Sequence, residues 1–254
     1  MKISIITVCY NSAATIKKTF ESVKKQSYSD IEYIVVDGGS TDGTLDLINK
    51  YGKHIDNWIS EPDKGLYDAM NKGIAMATGD VIGILNSDDL FNSDKAIEKI
   101  MNQFNSDTEL DSLYADLYYV SQTDINKIVR HWVTGEQKSF YKGWHPGHPT
   151  FFVKKEVYNK YGLYDIELSL AADFEIMLRF LERYKISTFY LKEPLVRMRL
   201  GGASNNSFKG LVVQNIECIK AFRQNKLKVN PILYPINRLI PKLFQFKKSK
   251  HNFN

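Results

Sequence analysis

The feature that most constrains this chain is an alternation in its first 105 residues, where short runs rich in β-branched residues trade places with stretches whose apolar residues recur at helical spacing. Lys2 to Cys9 and Ile31 to Val36 read as strands, and between them Ala13 to Gln26 sets Ile16, Phe20 and Val23 on one helical face. The pattern continues as a helix over Gly43 to Tyr51, a strand over Ile55 to Ser60, a helix over Leu66 to Ala77, a strand over Val81 to Leu85 and a helix over Asp94 to Phe104. Strands joined through helices pair in parallel by right-handed crossovers, so the sheet is covered on both faces. Ligands of such sheets bind beyond the carboxyl ends of the strands.

After residue 105 the pattern changes. Ser112 to Val120 and Lys127 to Thr134 alternate like the arms of an antiparallel hairpin. Gly143-Trp144-His145-Pro146-Gly147-His148-Pro149 reads as a loop, followed by a strand over Thr150 to Val153 and a helix over Ala171 to Tyr184. Strands over Ile186 to Leu191 and Leu195 to Arg199 precede a last helix over Phe208 to Arg223. The expected fold class is α/β. A single domain over residues 1–225 holds a mainly parallel sheet flanked by helices with a small antiparallel sheet, and a helical tail follows over 226–254.

With 254 residues and 43% apolar composition the chain can bury a core without disulfide staples. Cys9 and Cys218 are far apart and have no CxxC partner, which points to a reducing, cytoplasmic compartment and away from a cysteine-rich zinc site. The apolar stretch Ile3 to Tyr10 is shorter than a signal h-region, and no window holds the ~18 apolar residues of a membrane span. Residues 220–254 carry nine basic and no acidic side chains, which leaves the first 219 residues at a net charge of −4. A mildly acidic body lacks the broad phosphate-neutralising surface that nucleic acids require, so no nucleic-acid partner is expected.

Acidic residues gather at the strand ends. Asp37 directly follows Tyr33 to Val36, Asp63 closely follows the next strand, and Asp88-Asp89 follow Val81 to Leu85, all at one sheet edge. Singly, each is also an ordinary turn or cap residue. Together they repel one another unless a cation or the hydrogen-bond donors of a ligand offset the charge. Oxygen ligands without His or Cys nearby suit Mg²⁺ or Mn²⁺, which bridge a carboxylate to substrate phosphates. The stretch Asp37-Gly38-Gly39-Ser40-Thr41-Asp42-Gly43-Thr44 is a Gly-rich strand-to-helix turn, with Ser40 or Asp42 as cap. It lacks the P-loop lysine. No GxGxxG follows the first strand, where Cys9-Tyr10-Asn11-Ser12-Ala13-Ala14 stands, so triphosphate hydrolysis and dinucleotide redox chemistry are both disfavoured.

Taken together, Thr7-Val8-Cys9-Tyr10-Asn11, Val36 to Thr44, Gly79-Asp80, Leu85-Asn86-Ser87-Asp88-Asp89 and Ala171-Ala172-Asp173-Phe174-Glu175 resemble, in order and spacing, the inverting glycosyltransferases of family 2 with their A-type nucleotide-sugar fold. The resemblance spans roughly residues 3 to 205. Asp63 to Gly73 is further similar to the branch that builds bacterial surface polysaccharides. The resemblance implies a donor-binding half over 1–105 and an acceptor-binding half over 106–225, with transfer of a single sugar from a UDP-sugar to a glycan or lipid-linked saccharide. By the same resemblance Thr7, Tyr10, Asp37 and Asp63 line the nucleoside pocket, with Ser87 beside them. Asp88 and Asp89 hold Mn²⁺ or Mg²⁺ against the diphosphate. The family's acidic motif begins with Asp where this chain has Asn86, which implies that Asn86 meets the ribose.

Asp173 matches the family's catalytic base, and its place near a helix start favours its charged form. That dipole alone also accounts for an acid there. Inversion needs one base to take the acceptor proton and no second nucleophilic carboxylate. Glu175 orients the acceptor or forms an ion pair. His148, with His145, stands in a Pro-bracketed loop, as an acceptor or diphosphate contact or as an ordinary turn residue. Arg197, Arg199 and the loop Gly201-Gly202-Ala203-Ser204 either close over the diphosphate or form a plain turn. Two other readings compete: a sugar nucleotidyltransferase, whose Gly-rich, Arg-bearing first loop is absent here, and a non-catalytic nucleotide-sugar or glycan binding scaffold. In the tail, Ile232, Ile236, Leu239, Leu243 and Phe246 recur at helical spacing among basic residues. Residues 230–250 therefore either lie on the inner face of an anionic membrane or pack on the domain's own core.

Overall fold

The sheet is built outward from β1 (Ile3–Cys9), whose seven residues are all buried, as expected of a parallel strand covered on both faces. The computed structural model describes residues 1–201 and 208–238. Strand β2 (Ile31–Asp37) lies parallel to β1, with Ile3 opposite Ile31 and Cys9 opposite Asp37. Strand β3 (Asn57–Ser60) extends this side, and β4 (Val81–Ile84) runs parallel to β1 on the other. Helices α1 (Ile16–Lys24), α2 (Thr44–Tyr51), α3 (Leu66–Met76) and α4 (Ala96–Ser106) connect the first half. They match the expected helices to within a few residues.

Beyond β4 come β5 (Leu90–Phe91), β6 (Ser112–Val120), β7 (Ile128–Trp132), β8 (Phe152–Lys154) and β9 (Thr188–Arg199), with α5 (Lys155–Tyr161), α6 (Ala172–Met177) and α7 (Phe208–Gln224). The strands form one nine-stranded sheet in the order β3-β2-β1-β4-β8-β6-β9-β5, with β7 paired to β6. The antiparallel strands thus extend the main sheet rather than standing apart from it. The short β8 makes the join, pairing antiparallel with both β4 and β6.

Three local differences from the sequence pattern have physical causes. The strands expected over 186–191 and 195–199 are one strand, β9, whose pairing with β6 slips between Ala115 and Leu117 so that Lys192 and Glu193 bulge ahead of Pro194. The helix expected over 171–184 is α6 followed by a π-helical stretch at 178–183, closed by Tyr184 N–H donating to Arg179 O. Helix α5 and strand β5 span only 7 and 2 residues, too short to show a period.

Two cores flank the sheet. One packs Ile6, Val8, Met70, Phe174 and Phe222 between the sheet and α3, α6 and α7, and the other packs Ile5, Phe20, Val35, Ile48 and Phe104 beneath α1, α2 and α4. At the amino ends of the strands Glu32 is buried against Ser4, Thr78 and Lys2. Burial opposes its charge, but those hydrogen bonds prevail and hold its carboxyl at about 2. The first part of the tail packs on the domain. Tyr234 is 1% exposed between Phe174 and Phe222, Arg238 donates to Asn215 Oδ1 at 3.2 Å, and Gly143 rests on the Arg238 backbone. Leu239, Leu243 and Phe246 lie outside the described residues, as do Gly202 to Ser204.

Candidate functional site

At the carboxyl end of β2 the chain turns through Gly38 and Gly39, whose φ of +84° a side chain would strain. Asp37 organises this turn from inside. Its carboxylate accepts from the Gly39 and Ser40 amides at 3.1 and 2.9 Å, from the Ser40 and Ser60 hydroxyls, and from Cys9 Sγ at 3.5 Å. Burial opposes ionisation, yet the Ser40 and Ser60 bonds hold the group below the usual carboxylate range. Asp37 is fully buried, so it supports the expected nucleoside pocket without facing it. Thr7 is also fully buried, because it sits within β1 short of the strand end, where it accepts from Tyr33 Oη at 3.0 Å. Neither side chain has an open face for a base or ribose, which corrects the expectation for both.

The open wall of the turn consists of Tyr10, Gly38 and Asp63. Tyr10 is 65% exposed, and a Cβ on Gly38 would fall 2.4 Å from Asp63 Oδ2 and 3.5 Å from the Tyr10 ring. Asp63 is held by Gly65 N–H at 2.8 Å. An exposed ring and a carboxylate on either side of a bare peptide suit a flat heterocycle with an attached diol.

The turn after β4 is less complete. Asp89 N–H donates to Asn86 O, and the Asp89 side chain, 1% exposed, accepts from Asn86 Nδ2 at 3.1 Å and from the Arg199 amide at 3.3 Å. Ser87 Oγ lies 2.9 Å from Ser12 Oγ, which ties the turn to the end of β1. Arg199 lies behind the turn, donating to Asp88 O and Gln122 O, so it braces the acidic pair and does not reach out to a diphosphate. Asp88 is only partly buried, and no other described residue donates to its carboxylate. The Asn86 Oδ1 is buried with no partner. Burial pushes both acids up, strongly so at Asp89, where the Asp88 charge adds to it and Arg199 only partly compensates.

A divalent cation fits this turn. An orphaned amide oxygen and a carboxylate that takes no hydrogen bond from another described residue are hard donors, and Mg²⁺ or Mn²⁺ needs one or two such groups besides phosphate and water. Among the described residues no three His, Cys, Asp or Glu side chains form a closed metal cluster. Of the two expected metal ligands, Asp88 is partly exposed and Asp89 is buried.

Asp173 opens α6, where its Oδ1 accepts from the Phe174 amide at 2.7 Å and faces Tyr67 Oη at 3.4 Å. Tyr67 comes from the first turn of α3, just after Asp63, so one helix start touches both the donor wall and this acid. Tyr67 stacks on Tyr164 with centroids 5.7 Å apart, and His148 Nε2 shares a 2.7 Å hydrogen bond with Tyr164 Oη. His148 is thus two rings removed from Asp173, and burial lowers its pKa against the opposing Asp173 charge. It packs edge-on against Tyr164. His145 packs edge-on against Trp132 and Phe174. Arg197 bonds Asn92 and Ile125 O, away from the mouth. Glu175, two positions beyond Asp173 and so about 200° around the helix, is 5% exposed and bonds Arg179 at 3.0 and 2.8 Å. Asn225 Nδ2 donates to it as well, so Glu175 is a structural ion pair and not an acceptor contact.

Sequence reasoning did not single out Tyr67 or Tyr119. Tyr119, on β6, stacks on Trp132 beneath Arg130, and burial together with the charges of Asp89 and Asp173 pushes it up to about 12, with Arg130 opposing. No spacing signal marks it, because its neighbours come from distant segments. Tyr67 stood inside the Asp63 to Gly73 motif without a role of its own.

An aromatic and acidic wall after β1 to β3, an acidic turn after β4 and a further acid at a facing helix start gather at one edge of this α/β sheet. The profile of glycosyl transferase family 2 matches residues 4–162, and the chain belongs to that family. It is a glycosyltransferase. An uncharacterized glycosyltransferase of Mycobacterium tuberculosis is 31% identical over 179 residues, 70% of this chain and 68% of its own length. The PGL/p-HBAD biosynthesis glycosyltransferase of Mycobacterium bovis is 26% identical over 218 residues, 82% of this chain and 78% of that one. Among solved structures, S. aureus TarS 1-349 in complex with UDP-GlcNAc superposes with a TM-score of 0.66 at 18% identity, over 94% of this chain and 70% of that one. A mannosyltransferase from Pyrobaculum calidifontis in complex with GDP-Man and Mn²⁺ does so at 0.66 and 14%, over 93% and 68%. At these identities the structural matches establish the shared fold. A further TarS structure is matched over only 44% of its chain.

Proposed function

We propose that the chain moves one sugar from a UDP-sugar to a hydroxyl of a glycan or lipid-linked saccharide, with inversion, in the building of a bacterial surface glycan. The observation that carries this reading is the unfinished turn at Asn86 to Asp89, whose raised carboxylates and orphaned amide oxygen call for a cation and a phosphate-bearing ligand. The UDP-GlcNAc complex of TarS supports the donor class, and the PGL/p-HBAD biosynthesis in the name of the Mycobacterium bovis relative supports a biosynthetic role. The Mn²⁺ complex of the mannosyltransferase supports the metal.

In this reading Tyr10 stacks on the base, Asp63 accepts from the base or ribose, and Asn86 Oδ1 and Asp88 face the diphosphate. A divalent cation bound there would neutralise charge developing on the leaving diphosphate. Asp173 takes the proton of the acceptor hydroxyl as its oxygen bonds to the anomeric carbon, while the carbon–oxygen bond to UDP breaks on the opposite face and UDP leaves with the electron pair. Tyr67 orients the base by holding one carboxylate oxygen and leaving the other to the acceptor. The free, buried thiols of Cys9 and Cys218 are consistent with a reducing compartment.

The test is UDP release from a panel of UDP-sugars, with and without Mn²⁺, in wild type and Asp173→Asn. Metal-stimulated turnover that drops about 10²- to 10⁴-fold in the variant is expected for a positioned base. Donor binding without turnover on any acceptor would favour the binding scaffold, and full turnover in the variant removes Asp173 from the mechanism.

A further inference from the structure

The end of α7 and the segment after it carry a feature that the transfer reaction does not use. Helix α7 closes in a Schellman turn: Leu227 N–H donates to Phe222 O and Lys226 N–H to Arg223 O, both at 2.9 Å, with Lys226 at φ +59°. This position ordinarily goes to glycine, and lysine occupies it here at a conformational cost. The turn presents Arg223, Lys226 and Lys228 around a shallow, open hollow lined also by Leu227 and Val229. These three exposed cations have no acidic partner among the described residues, whereas Lys220 pairs with Glu167 and Arg238 is buried on Asn215.

Directly after this hollow the chain exposes aliphatic side chains. Ile232 is 72%, Leu233 54% and Ile236 47% exposed, while their neighbour Tyr234 is buried in the domain. The short helix at 233–238 is therefore anchored by one face and bare on the other. Adjacent α7 adds Ile216, 61% exposed. The remaining sequence to residue 254 adds four more lysines and no acid. Unpaired cations a few residues from an exposed aliphatic run match a bilayer surface, where phosphate headgroups lie above acyl chains. A protein partner of this apolar character would be expected to meet a less uniformly charged rim.

We propose that this face, with Arg223, Lys226 and Lys228 on headgroup phosphates and Ile232, Leu233 and Ile236 inserted shallowly, docks the protein on an anionic lipid surface. The structure thereby divides the tail between its two expected fates: Tyr234 and Arg238 pack inward and the aliphatic trio faces out. The inference stands on this surface and does not depend on the donor or on the role of Asp173.

The full chain is sedimented with vesicles of phosphatidylcholine, with and without phosphatidylglycerol, at low and high salt. One variant carries Arg223→Gln, Lys226→Gln and Lys228→Gln, and a second carries Ile232→Ser, Leu233→Ser and Ile236→Ser. Wild type is expected to pellet only with the anionic vesicles and less so at high salt. The charge variant should lose on the order of 100-fold in partitioning, at roughly 1 kcal/mol per basic residue. The serine variant should lose binding at high salt first, and both variants should keep the wild-type unfolding midpoint. Equal pelleting with neutral vesicles, or variants that pellet like wild type, overturn the proposal. Release by millimolar inorganic phosphate overturns it in favour of a small-anion site. Lipid-independent self-association that the serine variant abolishes does so in favour of a second copy. UDP uptake measured by calorimetry on the same samples keeps a failure of the donor reading separate from a failure of docking.

Discussion

After β2 the chain sets Asp37 among the amides of Gly39 and Ser40 and the hydroxyls of Ser40 and Ser60. After β4 it sets Asp88 and Asp89 side by side, and among the described residues only Asp89 draws donors from other residues. Both turns end a parallel strand of one sheet at the same edge, and both are rich in small and acidic residues. The first is complete by itself, with its carboxyl held below the ordinary value; the second is strained by its own charge, with both carboxyls pushed up. Asp37, like Glu32, is a charge completed by hydrogen bonds from its own fold, whereas Asp88 takes none from another described residue.

The comparison is broken most directly at Asp88. Asp88→Asn should lower UDP release on the order of 1000-fold, several kcal/mol of lost leaving-group stabilisation, and should abolish Mn²⁺-assisted uptake of UDP in calorimetry. An unchanged rate would mean that the β4 turn is as structural as the β2 turn. Asp37→Asn should act on the fold, costing about 2–3 kcal/mol in urea denaturation because buried donors lose a charged acceptor. Since the folded value of Asp37 lies below the unfolded value of about 3.9, its contribution is complete above that pH and lost as pH falls through the folded value. Variant and wild type should therefore converge in stability only in strong acid.

Smaller effects sharpen the contrast. Gly38→Ala puts a methyl against Asp63 Oδ2 and Tyr10, and should raise the KM for a UDP-sugar about tenfold, roughly 1.4 kcal/mol, with little change in kcat. Without metal, Asp88→Asn should be slightly more stable than wild type at neutral pH, by about 1 kcal/mol or less, because it removes one of two repelling charges. The folded values of this pair are raised, so the wild-type penalty sets in as pH rises above the unfolded value and is absent below it. Thermal unfolding across that range should show the gain of the variant vanish in acid.

Much of the first half was legible in the sequence because its signals are local: strand and helix periods alternate, and the acids follow the strands that position them. The second half was less legible. Strand β8 joins the two parts of the sheet with three residues, β5 has two, and β9 runs through a bulge that reads as a break. Within the site, Asp173 and Glu175 differ by two positions and have opposite fates, one at the mouth and one sealed against Arg179 and Asn225. Arg199 and His148 were legible as polar residues near the site, but their partners, Asp88 O, Gln122 O and Tyr164, were not.

What the sequence determined by itself is the edge of the sheet at which the acids gather, since strand period, crossover handedness and the position of an acid after a strand are properties of a few neighbouring residues. Which acid stays exposed, which ring reaches Asp173 and which half of the tail turns inward were decided only by the tertiary structure. Each depends on donors and rings brought from segments 20 to more than 100 positions away, such as Ser60 to Asp37, Tyr67 to Asp173 and Arg199 to Asp89. Burial and hydrogen-bond satisfaction are sums over such neighbours, and no local pattern contains them.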